Sequence, residues 1–184
     1  GSFSLSHPQR TPRSLFTALE SLLAADADWA RRLHLELVGA LSLEEEREAQ
    51  ALVAAGVVHL AGAQERSAAL ACQQRAHVLL LVDHPRPWPA TNVPSKLYEY
   101  MAAERPVLAL AGTGMVERLM RELNLGIFAP ADDSTAIGAA LMALYDRFQR
   151  GTLAAQVEPR VLRRYHRREL TRALAQIFDG LVAT

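Results

Sequence analysis

The sequence predicts an α/β fold of the doubly wound type, with a parallel sheet, over its 184 residues. Segments with helical spacing of apolar residues alternate with short apolar runs from beginning to end, which is typical of βαβ units. The connecting segments are short, and neither a repeat nor a low-complexity tract interrupts the alternation. Half of the residues are apolar, enough for one hydrophobic core, so residues 1–184 are expected to form a single Rossmann-like domain.

The first predicted elements are a helix, a strand and a second helix. A helix is predicted over residues 12–25, where leucines recur on one face, and an apolar run over residues 33–38 indicates a strand. Ser42 and Glu45 form a capping-box pattern, because the serine can accept from the backbone and the glutamate can reach back to it. The helix that begins there is predicted to run to residue 55, just before a glycine.

The next strands frame a proline-rich loop. A strand is predicted over residues 57–61 and a helix over residues 66–75. Residues 77–82 form a continuous apolar run, the kind that is buried on both faces of a parallel sheet, and are therefore predicted to be a central strand. Residues 83–94 contain four prolines and are predicted to be a loop at the carboxyl end of that strand. Ligands of open α/β sheets bind at this edge.

The remainder of the chain continues the alternation. The predicted elements are a helix at 96–104, a strand at 106–110, a glycine turn at 112–114, a helix to residue 123, a strand at 127–130 and a helix at 134–148. The glycines of this turn would allow a ligand to approach the backbone closely, but an ordinary turn after a strand explains them equally well. A basic helix is predicted over residues 159–182, and its apolar stripe favours docking onto protein over binding to an anionic membrane surface.

Composition excludes several classes of protein. Lys plus Arg equals Asp plus Glu at 20 each, so the overall charge gives no indication of nucleic-acid binding. No apolar run approaches the roughly 18 residues of a membrane span. Cys72 is the single cysteine and the histidines are scattered, so neither a disulfide nor a metal site is expected, and a cytoplasmic location is predicted. Gly1 and Ser2 fit either a cloning remnant or the loop after a strand of a longer protein.

Lys96 and Glu99 form the most informative pair of polar residues. They lie one helical turn apart near the predicted start of a helix, where backbone amides point outward and the helix dipole favours negative charge. A cation and a carboxylate at this spacing can share the phosphate and the sugar hydroxyls of one ligand. An ordinary solvated glutamate and lysine are the alternative, and the tyrosines that flank Glu99 in an otherwise apolar helix argue against it.

The segment around this pair resembles a known family. The sequence PSKLYEYMAA at residues 94–103, followed by RPV at residues 105–107, is similar to the donor-site helix of family-4 glycosyltransferases, which have the two-domain GT-B architecture. The resemblance extends over nearly the whole chain and is to the C-terminal, nucleotide-sugar-binding half. It implies that an N-terminal acceptor domain belongs to the same protein.

The resemblance implies roles for individual residues. A carboxylate at the position of Glu99 accepts hydrogen bonds from the ribose hydroxyls of the nucleotide, which suits an ionised group that only accepts. Arg10 falls where the family places a lysine that neutralises the donor diphosphate. The sequence departs from the family where Thr91 replaces a second glutamate, and where Ser2 replaces an arginine.

The remaining implied contacts surround the diphosphate. Arg10 and Lys96 are expected to bind it together, assisted by the helix amides near Ser95 and by the side chain of Asn92. With these cations in place no metal cofactor is expected. No catalytic residue is assigned in this half.

The implied function is the donor-binding half of a retaining glycosyltransferase, which moves a sugar from a nucleotide diphosphate sugar to a glycan or lipid-linked acceptor. On its own this half is expected to bind nucleotide weakly and to turn nothing over. Two alternatives remain open: half of a nucleotide-sugar 2-epimerase, and a non-catalytic α/β interaction domain in which the polar pair merely lies on the surface.

Overall fold

Helices and parallel strands alternate in the computed structural model, which describes residues 3, 7, 9–86, 88–154, 157 and 159–182. The helices in this part of the chain are α1 (Arg13–Ala25), α2 (Trp29–Arg32), α3 (Leu43–Ala54), α4 (Arg66–Arg75), α5 (Ser95–Ala102), α6 (Met115–Glu122), α7 (Ser134–Gln149), α8 (Pro159–Arg163) and α9 (Arg167–Val182). The strands are β1 (Leu35–Val38), β2 (Val58–Gly62), β3 (Leu79–Val82), β4 (Val107–Ala111) and β5 (Gly126–Pro130). The predicted fold class is confirmed.

The strands form two separate parallel sheets. One sheet pairs β1 with β2, and the other has the order β3-β4-β5. The prediction that residues 77–82 form a central strand is wrong for the described chain, because β3 pairs only with β4 and the middle strand is β4. An apolar run indicates that both faces of a strand are covered, and it carries no information on whether both edges are paired.

Helices cover both faces of the three-stranded sheet. On one face α1 and α7 pack against each other and share a core with Leu108 and Leu110 of β4. On the other face α5 and α6 contact Val107, Ala109 and Ala111 of the same strand. Every residue of β4 is buried in this way. Two hydrophobic cores separated by one sheet are the defining feature of a doubly wound fold.

The capping box predicted at the start of α3 is confirmed. The Ser42 hydroxyl accepts from the backbone N–H of Glu45 at 3.3 Å, and the Glu45 carboxylate accepts from the backbone N–H of Ser42 at 2.8 Å. Two amides that the first turn leaves without helical partners are thereby satisfied.

The basic helix predicted over residues 159–182 is interrupted. The amides of Arg164, Tyr165 and His166 donate to carbonyls three residues earlier, which ends α8 before α9 begins. Tyr165 and Leu162 pack against the core beside α5 and α6, and this contact turns the chain. The apolar side chains of α9 are more than half exposed: Leu170, Leu174, Ile177, Phe178 and Leu181. No helix in the described ranges has the length and apolar character needed to span a membrane.

Gly114 brings the proline-rich loop against the end of β4. The Ala90 amide donates to the Thr113 carbonyl at 2.9 Å, and the Ala90 carbonyl accepts from the Met115 amide at 2.8 Å. Gly114 has a φ of 130°, and a Cβ placed there would lie 2.3 Å from the Ala90 oxygen. Gly112 is also close to the loop, since its Cβ would lie 3.1 Å from the Arg86 nitrogen. Close packing of the loop therefore accounts for the glycine turn.

The substitution Gly114→Ala is expected to destabilise the fold by about 2–3 kcal/mol, because it adds a backbone clash to an unfavourable φ. Urea unfolding followed by circular dichroism measures the loss. Gly138→Ala is the matched control, since Gly138 lies within α7 with nothing within 4 Å of its Cβ position, and alanine is the better helix former. Equal free energies of unfolding for the two variants would contradict the close approach.

Candidate functional site

The segment before α1 lies against the carboxyl end of β3. Strands of both sheets, β1-β2 and β3-β4-β5, contribute to the core that contains α1. Open α/β sheets bind ligands at the carboxyl ends of their strands, beside the switch point of the strand order, and we assign the candidate site to this edge. Five polar side chains that precede α1 or follow β3 lie here, and we call them the switch-point cluster: His7, Arg10, Asp83, His84 and Arg86.

Asp83 is the centre of the switch-point cluster. Its backbone amide donates to the Leu110 carbonyl, which continues the pairing of β3 with β4 by one residue and draws the side chain inward. The carboxylate is 1% exposed, with Arg10 at 3.1 Å from one oxygen and Arg86 at 3.0 Å from the other. Burial opposes ionisation, but a hydrogen bond from the His84 backbone and those from the two guanidiniums outweigh it, so the pKa of Asp83 lies below its ordinary value.

Asp83 holds two guanidinium groups at one sheet edge. The side chains of Arg10 and Arg86 remain 26% and 16% exposed, so both cations reach solvent while their shared carboxylate does not. The three side chains together carry one net positive charge. Such a site attracts an anion and presents hydrogen-bond donors to it.

His84 is buried beside this ion cluster. Its ring stacks on that of His7 with centroids 3.8 Å apart and an interplanar angle of 10°. Nδ1 lies 3.0 Å from an Asp83 oxygen, yet without the angles of a hydrogen bond. Burial and the charge of Arg86 lower the pKa of His84 below 6.5, and the opposing attraction of Asp83 does not compensate.

At pH 6.5 His84 is therefore expected to be mostly neutral in the folded protein. The unfolded state binds the proton more readily, so this group contributes stability above pH 6.5 that decreases as the pH falls toward its folded pKa. Long-range ¹H–¹⁵N NMR of the imidazole nitrogens measures the titration directly. A midpoint above 6.5 would show that Asp83 dominates the environment of the ring.

Glu99 belongs to α5 and lies near the start of α4. Its side chain is 37% exposed and its carboxylate is 4.0 Å from the guanidinium of Arg66, the first residue of α4. The neighbouring Tyr100 is buried, its hydroxyl donates to the Leu80 carbonyl at 3.2 Å, and burial raises its pKa to about 12. Glu99 is thus partly open to solvent, on a helix that is anchored in the core by Leu97, Tyr100 and Met101.

The other predicted site residues lie at the beginning of α5. Lys96 is half-buried, Ser95 and Asn92 are exposed, and Pro94 caps the helix without a side-chain hydrogen bond. In the described part of the chain the Lys96 ammonium has no carboxylate within ion-pair distance. Lys96 and Glu99 thus share α5, and Arg10 belongs to the switch-point cluster.

The sequence analysis missed Asp83, His84 and Arg86. The sequence does contain a signal for them, because all three ionisable residues lie within four positions after a buried strand, at the edge where ligands bind. The prolines of residues 83–94 indicate only that the segment is a loop. Arg86 approaches Asp83 because the loop folds back onto Gly112, which no pattern in the sequence indicates.

Two other surface features lie apart from this cluster. The described residues contain no group of three His, Cys, Asp or Glu side chains arranged to hold a metal ion. A shallow depression of about 370 Å³ is lined by residues of the C-terminal helices: Arg163, His166, Arg168 and Glu169. None of these four belongs to the switch-point cluster or to α5, and the depression is not the site predicted from the strand order.

Comparisons with known proteins identify the family. Residues 4–147 match the family model described as glycosyl transferases group 1. The fold is similar to that of Anabaena HepE, solved in complex with UDP and glucose, with a TM-score of 0.62 and 17% sequence identity. The match covers 100% of this chain and 48% of HepE, so the chain spans about half the length of that protein. A search of curated proteins gave no match. The resemblance predicted from the sequence is confirmed, and the chain belongs to the group 1 glycosyltransferases.

Proposed function

We propose that this chain is the donor-binding half of a retaining glycosyltransferase that transfers a sugar from a nucleotide diphosphate sugar to a glycan or lipid-linked acceptor. The observation that carries the proposal is the pair of guanidiniums held by one buried carboxylate at the switch point. Arg10 and Arg86 form this pair and Asp83 fixes them. Two forked donors at a fixed spacing suit the oxygens of a diphosphate.

The diphosphate is proposed to lie between the switch-point cluster and the start of α5. The loop that begins at Asp83 ends at Pro94, where the helix amides add donors and a favourable dipole. Lys96 contributes a further cation and Asn92 a side-chain amide. Arg86 is an addition to the residues that the resemblance implied, and it supplies the second guanidinium that the family places at the position of Ser2.

The nucleoside is proposed to extend toward Glu99. This carboxylate is accessible and weakly paired with Arg66 at 4.0 Å, so it retains acceptor positions for ribose hydroxyls. The fold of HepE, a protein solved with UDP and glucose, supports a nucleoside diphosphate as the ligand class.

The chemical role of the cations is to stabilise the leaving group. When the bond between the sugar and the diphosphate breaks, negative charge develops on the departing phosphate oxygen. Donors already aimed at that oxygen lower the barrier, and removal of one typically costs about 3 kcal/mol, or roughly a hundredfold in rate. The proposal includes no metal, because Arg10, Arg86 and Lys96 provide the positive charge.

The acceptor is proposed to bind to an N-terminal domain of the same protein, with transfer in the cleft between the domains. Binding of the donor and turnover are therefore separable properties. The 184 residues are expected to bind nucleoside diphosphates and to transfer sugar only together with that domain. The exposed apolar residues of α9 provide a surface on which such a domain can dock.

Isothermal titration calorimetry tests the proposal. The chain is titrated with the diphosphates of uridine, guanosine and deoxythymidine, and uridine itself serves as the control without phosphate. Binding of at least one diphosphate is expected, about tenfold or more tighter than the matching nucleoside, because the guanidiniums contact only phosphate. Absence of heat with every diphosphate would favour the non-catalytic interaction domain.

A further inference from the structure

We propose that His84 is a positioning residue of the donor site, which pairs with Asp83 in place of Arg10 when the diphosphate binds. Binding is then accompanied by the uptake of a proton, which the imidazole of His84 takes from solvent. The exchange allows the guanidinium of Arg10 to turn toward the phosphate oxygens. This inference rests on the proposed function, because the anion that attracts Arg10 is the diphosphate of the donor.

One oxygen of Asp83 faces two nitrogen atoms. The carboxylate Oδ1 lies 3.1 Å from Nη2 of Arg10 and 3.0 Å from Nδ1 of His84. Arg10 makes the hydrogen bond, whereas Nδ1 is buried without a hydrogen-bond partner in the described part of the chain. The other oxygen, Oδ2, accepts from Arg86 at 3.0 Å. Arg10 and His84 are therefore alternative partners of the same oxygen.

The position of His84 suits this pairing. Its side chain is 9% exposed and that of Asp83 is 1% exposed, so little water competes for the contact. The ring is supported by its stacking on His7. A small reorientation aligns Nδ1 with Oδ1, since the two atoms are already at hydrogen-bond distance. Arg10 is 26% exposed and can reach a ligand from its present position.

The charges around His84 explain why the exchange requires a ligand. Arg10 and Arg86 already exceed the charge of Asp83 by one positive charge, and His7 is the other titratable group that faces the ring. Burial and the charge of Arg86 lower the pKa of His84, so a further cation is unfavourable here. The diphosphate of a nucleotide sugar brings two negative charges. With the diphosphate bound, an imidazolium at His84 makes the site neutral.

Proton uptake makes the affinity for the donor depend on pH. By linkage, a ligand that binds together with a proton binds more tightly as the pH falls. The pKa of His84 lies below 6.5 without ligand, and the bound diphosphate raises it, so the affinity increases between pH 8 and pH 5.5. The diphosphate of a nucleotide sugar carries an ester at each end and keeps its charge over this range. The pH dependence therefore reports on the protein.

Isothermal titration calorimetry with UDP-glucose tests the exchange, and GDP-mannose or dTDP-glucose replaces it if the diphosphate of another base binds best. Titrations at pH 6 in two buffers with different ionisation enthalpies measure proton uptake by the wild type. We expect uptake of a proton, and an affinity about tenfold higher at pH 5.5 than at pH 8.

Two substitutions assign the proton to its residue. His84→Asn retains an amide nitrogen near the position of Nδ1 but cannot titrate, so the proton uptake and the pH dependence should both disappear. His77→Asn is the matched control, because His77 is exposed and precedes β3, at the opposite end of that strand. This variant should keep both effects.

A measurement without ligand tests the competition for Oδ1. The NMR titration of the His84 imidazole is compared in the wild type and in Arg10→Gln. Removal of the guanidinium leaves Oδ1 to His84, so the titration midpoint should be higher in the variant. Arg150→Gln is the control, since Arg150 pairs with Asp146 at an exposed position. Equal midpoints in wild type and Arg10→Gln would overturn the inference.

The outcomes separate this inference from the proposed function. Binding without proton uptake, or with the same pH dependence in His84→Asn as in the wild type, would overturn the inference and leave the proposed function intact. A pH dependence that is lost in His7→Phe and kept in His84→Asn would assign the proton to His7 and overturn it as well. Absence of binding by all three nucleotide sugars at both pH values would contradict the proposed function, while the comparison of wild type with Arg10→Gln still tests the pairing of His84 with Asp83.

Discussion

Asp83→Asn is expected to lower the free energy of unfolding by about 3 kcal/mol at pH 7. The amide preserves the shape of the side chain but removes the charge that Arg10 and Arg86 share, and both guanidiniums stay beside it. Breaking a buried ion pair by neutralising one partner leaves a charge without compensation and typically costs 3–5 kcal/mol. The lower figure applies because both arginines retain some contact with water, which screens them.

The same substitution is expected to change how the free energy of unfolding decreases at acid pH. The folded pKa of Asp83 lies below its ordinary value of 3.8, so the unfolded state takes up the proton first as the pH falls. The contribution of Asp83 is fully present above that ordinary value and is lost as the pH falls through the lower, folded value. Between pH 7 and pH 3 the wild type should therefore lose more stability than Asp83→Asn.

Urea unfolding at pH 7 and at pH 3 measures both effects. Asp146→Asn is the control, because Asp146 forms an exposed ion pair with Arg150 at 3.4 Å and should contribute less than about 1 kcal/mol. If the two variants have the same free energy of unfolding at pH 7, Asp83 does not hold the two arginines in the folded protein.

Glu99→Gln is expected to weaken the binding of nucleoside diphosphates by about tenfold or more. Hydrogen bonds from ribose hydroxyls to an ionised carboxylate are each worth about 1.5–3 kcal/mol, and the amide accepts at one oxygen only. The fold should be little affected, since the pairing with Arg66 is long and exposed. Loss of affinity with an unchanged melting temperature distinguishes a ligand contact from a structural one.

Nucleotides with and without the 2′-hydroxyl test which part of the ligand Glu99 contacts. The wild type should bind UDP better than 2′-deoxy-UDP, and Glu99→Gln should discriminate less between them, as in a double-mutant cycle. Glu122→Gln is the matched control, because Glu122 forms an exposed ion pair with Arg118 at 2.6 Å on α6. Undiminished discrimination in Glu99→Gln would remove Glu99 from the ribose site.

Local sequence signals predicted most elements of the fold. The capping box fixed the start of α3, and predicted boundaries of most helices lie within one or two residues of the observed ones. The break between α8 and α9 was not predictable, because it depends on Tyr165 packing against a core assembled from distant segments. The four-residue helix α2 was not predicted, because a single helical turn is too short to show a periodic pattern of apolar residues.

The site was only partly predictable from the sequence. Lys96, Ser95 and Glu99 were found because helix spacing and the family resemblance identify them. Asp83 was missed because its pairing with Arg10 joins residues 73 positions apart. Arg86 was missed because it reaches Asp83 only through the path of the loop. Such a contact depends on the register of β3 and on a loop resting against a glycine, which are tertiary features.

The tether at Ala90 has a consequence for how a donor would be recognised. Two backbone hydrogen bonds attach Ala90, the eighth of the twelve residues 83–94, to the residues after β4, and so divide the loop into two shorter segments. Short segments have few accessible conformations, so they lose little conformational entropy when a ligand binds. A donor that binds at this edge would then meet a preorganised loop. Less of the binding free energy would be needed to order the polypeptide.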